Sequence, residues 1–340
     1  MATLKDIAKI ARVSPAAVSR ILNHDDSLSV TPETREKVFS AAQELGYKKK
    51  SKASAQKIKK AASVTIGVLQ WYSTFQELED PYYQNIRNGI ENCCMNLNIK
   101  VLRIYKTDQD YKNQLAQVDG LICIGKYSSE DISTFQELTK RFLIVDMISS
   151  TISFNCVALD FKQAVYDIMD HLVSLGHQRI AYLGGIERIG ETAYFEQRKA
   201  FFLDYCIKHH LEYEPFLIEE EFSAESGFQM MNRLLDRACI PTAVFAASDP
   251  IAIGAMRALH KAGLRIPDDI SIVGFDDISV ASYTNPPLTT VLAPAEMMGK
   301  TAVEFLYQKI LLDSDMNLPV RITFPCKLIV RDSTGKAAGN

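Results

Sequence analysis

Residues 5–23 read KDIAKIARVSPAAVSRILN, and this stretch decides the fold of the N-terminal end of the chain. Just ahead of it, Thr3 with Asp6 three residues on has the pattern of a capping box. Leu4, Ile7, Ala8 and Ala11 then recur at helical spacing. Ser14 followed by Pro15 is an N-cap with proline at the first helical position, and Ala17, Val18, Ile21 and Leu22 form a second apolar stripe. Only Arg12 and Val13 separate the first helix from the cap of the second, which is the spacing of a helix-turn-helix. A third helix opens at Thr31-Pro32, is predicted to bury Val38, Phe39, Ala42 and Leu45, and stops at Gly46.

Charge follows the same division. Residues 1–60 carry 13 Lys and Arg against 6 Asp and Glu, a net of +7, while the whole chain is at −3. A small basic head on a large acidic body points to a polyanion as the head's partner. The second helix of a helix-turn-helix enters the major groove N-terminus first, which brings Pro15, Ala16, Ser19 and Arg20 to the duplex. Arg20 can donate two hydrogen bonds to a guanine edge or bind phosphate. Ser14, Ser19, Asn23, Thr31 and Thr34 suit backbone phosphates, Pro15 and Ala16 offer only apolar contact, and Thr3, Leu4 and Ala17 complete the candidate contacts. A capped bundle with a solvated basic face is the competing reading. The tight turn, paired caps and local charge together favour DNA.

The stretch 5–23 and the later TREKVFSAAQELGY (34–47) closely resemble the N-terminal signature of the lac/galactose repressor family. One departure is Arg12, where the family usually has Gly; a positive φ there costs a non-Gly residue roughly 1 kcal/mol. The following segment, 48–62, holds seven lysines between 48 and 60 and no Gly or Pro. The resemblance implies a hinge helix that wedges a leucine into the minor groove, but the usual Pro-Asn and Leu are missing, and Ile58 is the only sizeable apolar side chain. A solvated tether that attracts phosphate without specificity is the alternative; in either case Lys48, Lys49, Lys50 and Lys52 are candidate phosphate contacts.

Beyond the linker, short apolar strands (64–69, 100–105, 120–125, 142–146, 179–185, 242–248, 271–277) alternate with amphipathic helices capped at Asp80-Pro81, Ser128 with Asp131, and Asp249-Pro250. Such alternation predicts an α/β fold with parallel sheets covered on both faces, and so many strands suggest two lobes. Ligands lie beyond the carboxyl ends of such strands. There stand Trp71, Lys126, Asp146, Ser248 and Asp276, joined by Tyr82 and Tyr83 at a helix start, Arg198 on a helix and Phe222 after IEEE. Carboxylates and Arg satisfy hydroxyls through charge-assisted hydrogen bonds, and aromatic faces pack on the apolar side of a sugar ring. The set suits a neutral polyhydroxylated ligand. Taken singly, Asp146 or Asp276 reads equally well as a helix cap, and Trp71 reads better as core.

The family resemblance runs on through LGHQRIAYLGG (175–185), SAESGFQ (223–229), PTAVFAASD (241–249), ISIVGFDD (270–277) and NPPLTTV (285–291). It implies a three-helix head plus a two-lobed periplasmic-binding-protein-like core, with the chain crossing near 160, 290 and 321. The division is then head 1–47, linker 48–62, core 63–332 and flexible tail 333–340. The first lobe takes about 63–159 and 291–320, the second about 160–290 and 321–332. The resemblance places Asp146, Arg198, Phe222, Ser248 and Asp276 on positions that contact a sugar effector. Ser248 replaces a common Asn, and Ala293 and Ala295 replace larger side chains of the lactose-type repressor. ELEDPYYQNIRNGIE, EMMGK and FPCKLIVR resemble galactose-operon repressors. A homodimeric repressor of a galactose or galactoside operon, released from double-stranded operator DNA by sugar, is the implied function. A corepressor-dependent regulator, answering to a metabolite or a phosphocarrier protein, and a sugar-handling enzyme are the alternatives.

Other classes find little support. No apolar run in the 340 residues approaches the roughly 18–20 needed to span a membrane, and the N-terminus lacks the apolar core of a signal peptide. A cytoplasmic, nucleoid-associated protein is expected. Seven scattered cysteines without CxxC spacing and six histidines without ligand spacing predict neither disulfides, metal nor any other cofactor. GGIERIG (184–190) fits no nucleotide loop, and nothing pairs a nucleophile with a base, so an enzyme is not expected.

Overall fold

The computed structural model describes residues 3–22, 30–45, 64–139, 141–148, 154–312 and 318–337. Asn23, Gly46, Ile58 and the lysines at 48, 49, 50 and 52 lie outside these residues, and with them the choice between hinge helix and tether. The chain divides into two compact units, 1–62 and 63–340.

The first unit holds α1 (Leu4–Ala11), α2 (Pro15–Leu22) and α3 (Pro32–Glu44). The capping box forms: Thr3 N–H donates to Asp6 at 2.8 Å, and Asp6 N–H to the Thr3 hydroxyl at 3.3 Å. Ser14 Oγ accepts from Ala17 N–H at 3.1 Å, and Thr31 Oγ1 from Thr34 N–H at 3.3 Å. Arg12 ends α1 at φ 53°, ψ 44°, the left-handed conformation expected of that turn. Ile7, Val18, Ile21 and Val38 close the core with Ala8, Ala11, Ala41 and Ala42. Phe39 departs from expectation and is exposed. Positions 38, 41, 42 and 45 share one face of α3, and 39 lies a further 100° around it.

The second unit begins with β1 (Thr65–Gln70), α4 (Thr74–Glu79), α5 (Tyr82–Asn96), β2 (Lys100–Tyr105), α6 (Tyr111–Leu115), β3 (Gly120–Ile124), α7 (Ser129–Leu138), β4 (Phe142–Val145) and β5 (Asn155–Leu159). It continues through α8 (Phe161–Ser174), β6 (Ile180–Gly185), the hairpin β7 (Arg188–Ile189) and β8 (Thr192–Ala193), α9 (Gln197–His209), β9 (Leu217–Glu220), α10 (Ala224–Leu235), β10 (Ala243–Ala246), α11 (Asp249–Lys261) and β11 (Ser271–Val273). It closes with β12 (Thr290–Leu292), α12 (Ala295–Leu312), β13 (Arg321–Phe324) and β14 (Lys327–Ile329).

Two parallel sheets result, ordered β13-β5-β4-β3-β1-β2 and β11-β10-β6-β9. Strands β3, β4, β6 and β10 are buried along their whole length, as parallel strands covered on both faces must be. The direction of winding reverses between β1 and β3 in one sheet and between β6 and β10 in the other. Such switch points open a crevice at the strands' carboxyl ends. Strand β13 pairs with β5, so residues 321–324 belong to the first lobe and the expected crossing near 321 comes one strand later. The antiparallel pair β12–β14 then carries the chain between lobes.

The tail also differs from expectation. Residues 333–337 are docked on the second lobe: Ile272 N–H donates to Ser333 O at 2.8 Å, Ser333 Oγ to Ile272 O at 2.6 Å, and Ala337 N–H to Leu175 O at 2.9 Å. Strand β11 is an edge strand, and the tail satisfies backbone groups that would otherwise need water.

Candidate ligand cleft

Each sheet sends one aspartate into the crevice on a strained turn. Asp146 follows β4 with φ 70°, and Asp276 follows β11 with φ 107°. Both backbones are tied down, Asp146 N–H to Val157 O and Asp276 N–H to Val291 O, each at 2.8 Å. Left-handed conformations cost a non-Gly residue about 1–2 kcal/mol and concentrate at functional sites. Neither aspartate caps a helix.

Asp146 is gripped from three sides. Tyr82 OH donates to Oδ1 at 3.1 Å, Tyr83 OH to Oδ2 at 2.9 Å, and Lys126 Nζ to Oδ2 at 2.5 Å. Lys126 also donates to the Asp146 carbonyl. Burial opposes the Lys126 charge, but Asp146 and Glu187 outweigh it and hold the ammonium well above its ordinary range. Tyr83 OH also stands 3.0 Å from Glu187 Oε1, on the second lobe. A phenol has one proton, so only one carboxylate receives it at a time. Burial pushes Glu187 up to about 7, partly countered by Lys126. Asp80, whose Oδ1 accepts from Tyr82 N–H at 3.2 Å, is pushed to about 6 by burial. Asp276 is raised well above the carboxylate range, first by burial and then by Asp80.

Arg198 faces these carboxyls from α9. Its Nε and Nη2 donate to Glu196 at 2.9 and 2.6 Å, and Nη1 to Ala247 O at 2.6 Å. The guanidinium lies 5.3, 5.0 and 5.3 Å from the rings of Phe161, Phe222 and Phe275, a cage of cation–π contacts. Burial alone would lower the Arg198 pKa and raise that of Glu196; their pairing overrides it in both, raising Arg198 and lowering Glu196. Gly185 makes room for Phe222, since a Cβ there would lie 2.1 Å from the ring.

Between these groups lies a cavity of about 20 Å³, lined by Asp80, Tyr82, Tyr83, Asp146, Leu159, Phe161, Glu187, Arg198, Phe222 and Asp276. Six of the nine expected residues line it: Tyr82, Tyr83, Asp146, Arg198, Phe222 and Asp276. The other three stand behind the wall. Lys126 orients Asp146, and Trp71 packs edge-on against Tyr83 at 6.0 Å. Ser248 is fully buried at the start of α11, with no partner for its hydroxyl among the described residues. Asp249, expected as a cap, instead accepts from Thr290 Oγ1 at 2.5 Å and Ile278 N–H at 2.8 Å, and burial pushes it up to about 8. Ala293 and Ala295 are buried core. Sequence reasoning missed Asp80, Leu159, Phe161 and Glu187 as cavity residues. Glu187 sits within GGIERIG, just past the end of β6, and position relative to the strand was the available signal.

On the head, Thr3, Ser14, Pro15, Ala16, Arg20 and Thr31 are exposed, while Leu4, Ala17, Ser19 and Thr34 are half-buried. Among the described residues no helix is long and apolar enough to cross a membrane, and no cluster of three metal-binding side chains occurs.

Comparison with known proteins accounts for both units. Residues 3–50 match the model for bacterial regulatory proteins of the lacI family, and residues 169–334 that for a periplasmic binding protein-like domain. The chain is 36% identical to the HTH-type transcriptional regulator GalR of Streptococcus thermophilus, over 98% of this chain and 100% of that protein. It is 35% identical to the HTH-type transcriptional repressor MelR of Bacillus subtilis, over 99% of each. Among solved structures, the lac repressor dimer bound to operator and the anti-inducer ONPF superposes with a TM-score of 0.69 at 29% identity, covering 98% of this chain and 99% of that one. The transcriptional regulator CelR in complex with cellobiose gives 0.68 at 26% identity, covering 98% and 100%.

Proposed function

The chain belongs to the lacI family of bacterial regulatory proteins, and we propose that it represses a galactose or galactoside utilisation operon as a cytoplasmic homodimer that sugar releases from its operator. The observation that carries this reading is the pair of strained aspartates, Asp146 and Asp276, one from each lobe, converging on one cavity with Arg198. A sugar hydroxyl set bridging both carboxylates favours one arrangement of the lobes over another. At about 20 Å³ the cavity holds about one water. A sugar therefore enters only when Tyr82, Tyr83 and Lys126 yield lone pairs of Asp146 or when the lobes part. The self-satisfied and sugar-filled clefts are alternative states, and a ligand shifts their populations by its difference in affinity.

On the DNA side, Arg20 and the hydroxyls of Ser14 and Ser19 meet the major groove and its flanking phosphates, with Thr3, Thr31 and Thr34 on the backbone. Two heads are required because a single helix-turn-helix contacts too little DNA for high specificity. Linkage makes sugar and operator weaken each other by one factor, typically worth about 1–3 kcal/mol. The regulatory reading is preferred to a sugar-handling enzyme because the Asp146 carboxylate is engaged by Tyr82, Tyr83 and Lys126 rather than set against a nucleophile.

A gel shift with an operator fragment, with and without galactose, tests the reading. Release by galactose is expected. Tighter binding in the presence of a metabolite would replace it with corepression, and consumption of galactose with ATP would replace it with an enzyme.

A further inference from the structure

The turn that carries Asp276 is built on the chain that crosses between the lobes. Asp276 and Asp277 are consecutive residues with positive φ, 107° and 53°, a backbone that persists only where its surroundings enforce it. Both crossing segments take part. From the stretch leading into and along β12, Thr289 O accepts from Gly274 N–H at 2.9 Å and Val291 O from Asp276 N–H at 2.8 Å. From the stretch that follows β14, Arg331 Nη2 donates to Asp277 Oδ1 at 2.6 Å.

Arg331 does more than close that pair. Its Nη1 donates to Leu288 O at 2.8 Å, and its backbone N–H to Thr289 Oγ1 at 2.9 Å. One residue thus joins three pieces of chain: the turn, the approach to β12 and the exit from β14. A guanidinium holds its donors in a rigid planar fork, so the angle between the turn and the crossing chain is set as well as the distance. The Arg331 and Asp277 side chains are only 20% and 17% exposed, and salt screens such a pair less than one at the surface.

The two neighbouring carboxylates therefore have different tasks. Asp276 lines the inner cavity, whereas Asp277 is turned to Arg331. A planar peptide unit joins them, so a tilt that a ligand imposes on Asp276 reaches Asp277. Hinge motion concentrates its φ/ψ change in a few residues at the ends of elements, and residues 289 and 331 stand at such ends, beside β12 and β14.

We propose that the Asp277–Arg331 pair is the coupling link between the ligand aspartate and the crossing chain: two positioning residues that touch neither sugar nor DNA and set the crossing segments according to whether Asp276 is occupied. The proposal rests on the sugar-release reading above. Cutting the link leaves both binding events in place and disconnects them.

The test compares the full chain as wild type, Arg331→Met and Asp277→Gly. Glycine adopts positive φ at no steric cost, so the second variant deletes the carboxylate and spares the turn. Calorimetry gives galactose affinity without DNA, and an operator titration gives DNA affinity without and with saturating galactose. In wild type galactose should weaken operator binding by a factor within about 5–150. In both variants that factor should fall below about 2, while galactose affinity alone and operator affinity alone stay within about threefold of wild type. A wild-type factor in either folded variant overturns the link and spares the sugar reading. So does a lost factor in which one of the separate affinities drops about tenfold or more, because the pair then merely supports that site. Should Arg331→Met fail to fold, Asp277→Gly decides alone. Wild type that binds no galactose, or binds it without weakening operator, overturns the sugar-release reading and the link with it.

Discussion

Asp146 and Asp276 occupy equivalent places in the two lobes, yet their surroundings are opposite. Asp146 receives three donors from its own lobe, whereas among the described residues no side chain donates to the Asp276 carboxyl. The first lobe has thus organised its carboxylate with buried charge and phenols. The second has left its carboxyl buried, raised in pKa by that burial, and open toward the cavity. Of two aspartates both held at positive φ, one is a structural keystone that also lines the cavity, and the other lines the cavity without a side-chain donor among the described residues.

The sharpest way to break this contrast is Asp146→Ala. It leaves Lys126 buried, with only Glu187 at 3.8 Å as counter-charge. Removing one partner of a buried pair typically costs about 3–5 kcal/mol. Urea unfolding should show a loss of that size, and a loss under about 1 kcal/mol would mean that the pair is not buried in solution.

Asp80 tests the burial side of the comparison. Its carboxyl is raised to about 6 when folded, so the neutral form is the one the fold prefers. Its contribution to stability is full below the unfolded value near 3.8 and is lost as pH rises through about 6. Asp80→Asn, which keeps an oxygen for Tyr82 N–H, should stabilise by up to about 3 kcal/mol above pH 7, taking about 1.36 kcal/mol per pKa unit. Below about pH 4 it should change little. A melting-temperature difference that is flat across pH 4–8 would contradict the burial.

Asp276→Ala should do the reverse of Asp146→Ala. Stability should hold or rise slightly, operator affinity should be unchanged, and release by sugar should vanish, a loss of about 1–3 kcal/mol of coupling. Normal induction at the wild-type sugar concentration would demote Asp276 to a bystander. Arg20→Ala provides the control in the other unit. It should weaken operator binding by about 1–3 kcal/mol and leave sugar titration untouched; sugar binding that moves with it would point to a folding defect instead.

Local chemistry was the legible part of this molecule. The caps at Thr3, Ser14, Thr31 and Ser128 are readable because both partners lie within four residues of each other. The strand-end aspartates are readable because parallel sheets expose their carboxyl ends. Contacts distant in sequence were harder. Strand β13 alternates between exposed and half-buried positions and pairs 165 residues back, from Arg321 to Cys156, so its pattern says little about which lobe owns it. The tail looks solvated because its residues are small and polar, yet Ser271, Thr289 and His177 wait to receive it. Glu187 is hard to single out because GGIERIG invites comparison with a phosphate loop, whereas its carboxylate meets the Tyr83 hydroxyl, 104 residues away in sequence. Asp249 resembles a cap in sequence, but Thr290, 41 residues on, takes its carboxylate.

The single proton of Tyr83, placed between Asp146 and Glu187, has a consequence for how the cleft trades with solvent. Glu187 is raised to about 7, so near neutrality it is partly protonated and can return a hydrogen bond to the phenol. A ligand hydroxyl that displaces Tyr83 from Asp146 frees the phenol for Glu187 and stabilises the ionised carboxylate. Sugar uptake then expels a fraction of a proton. The heat of binding should differ between phosphate and Tris buffers in proportion to that fraction, and the effect should disappear in Glu187→Gln.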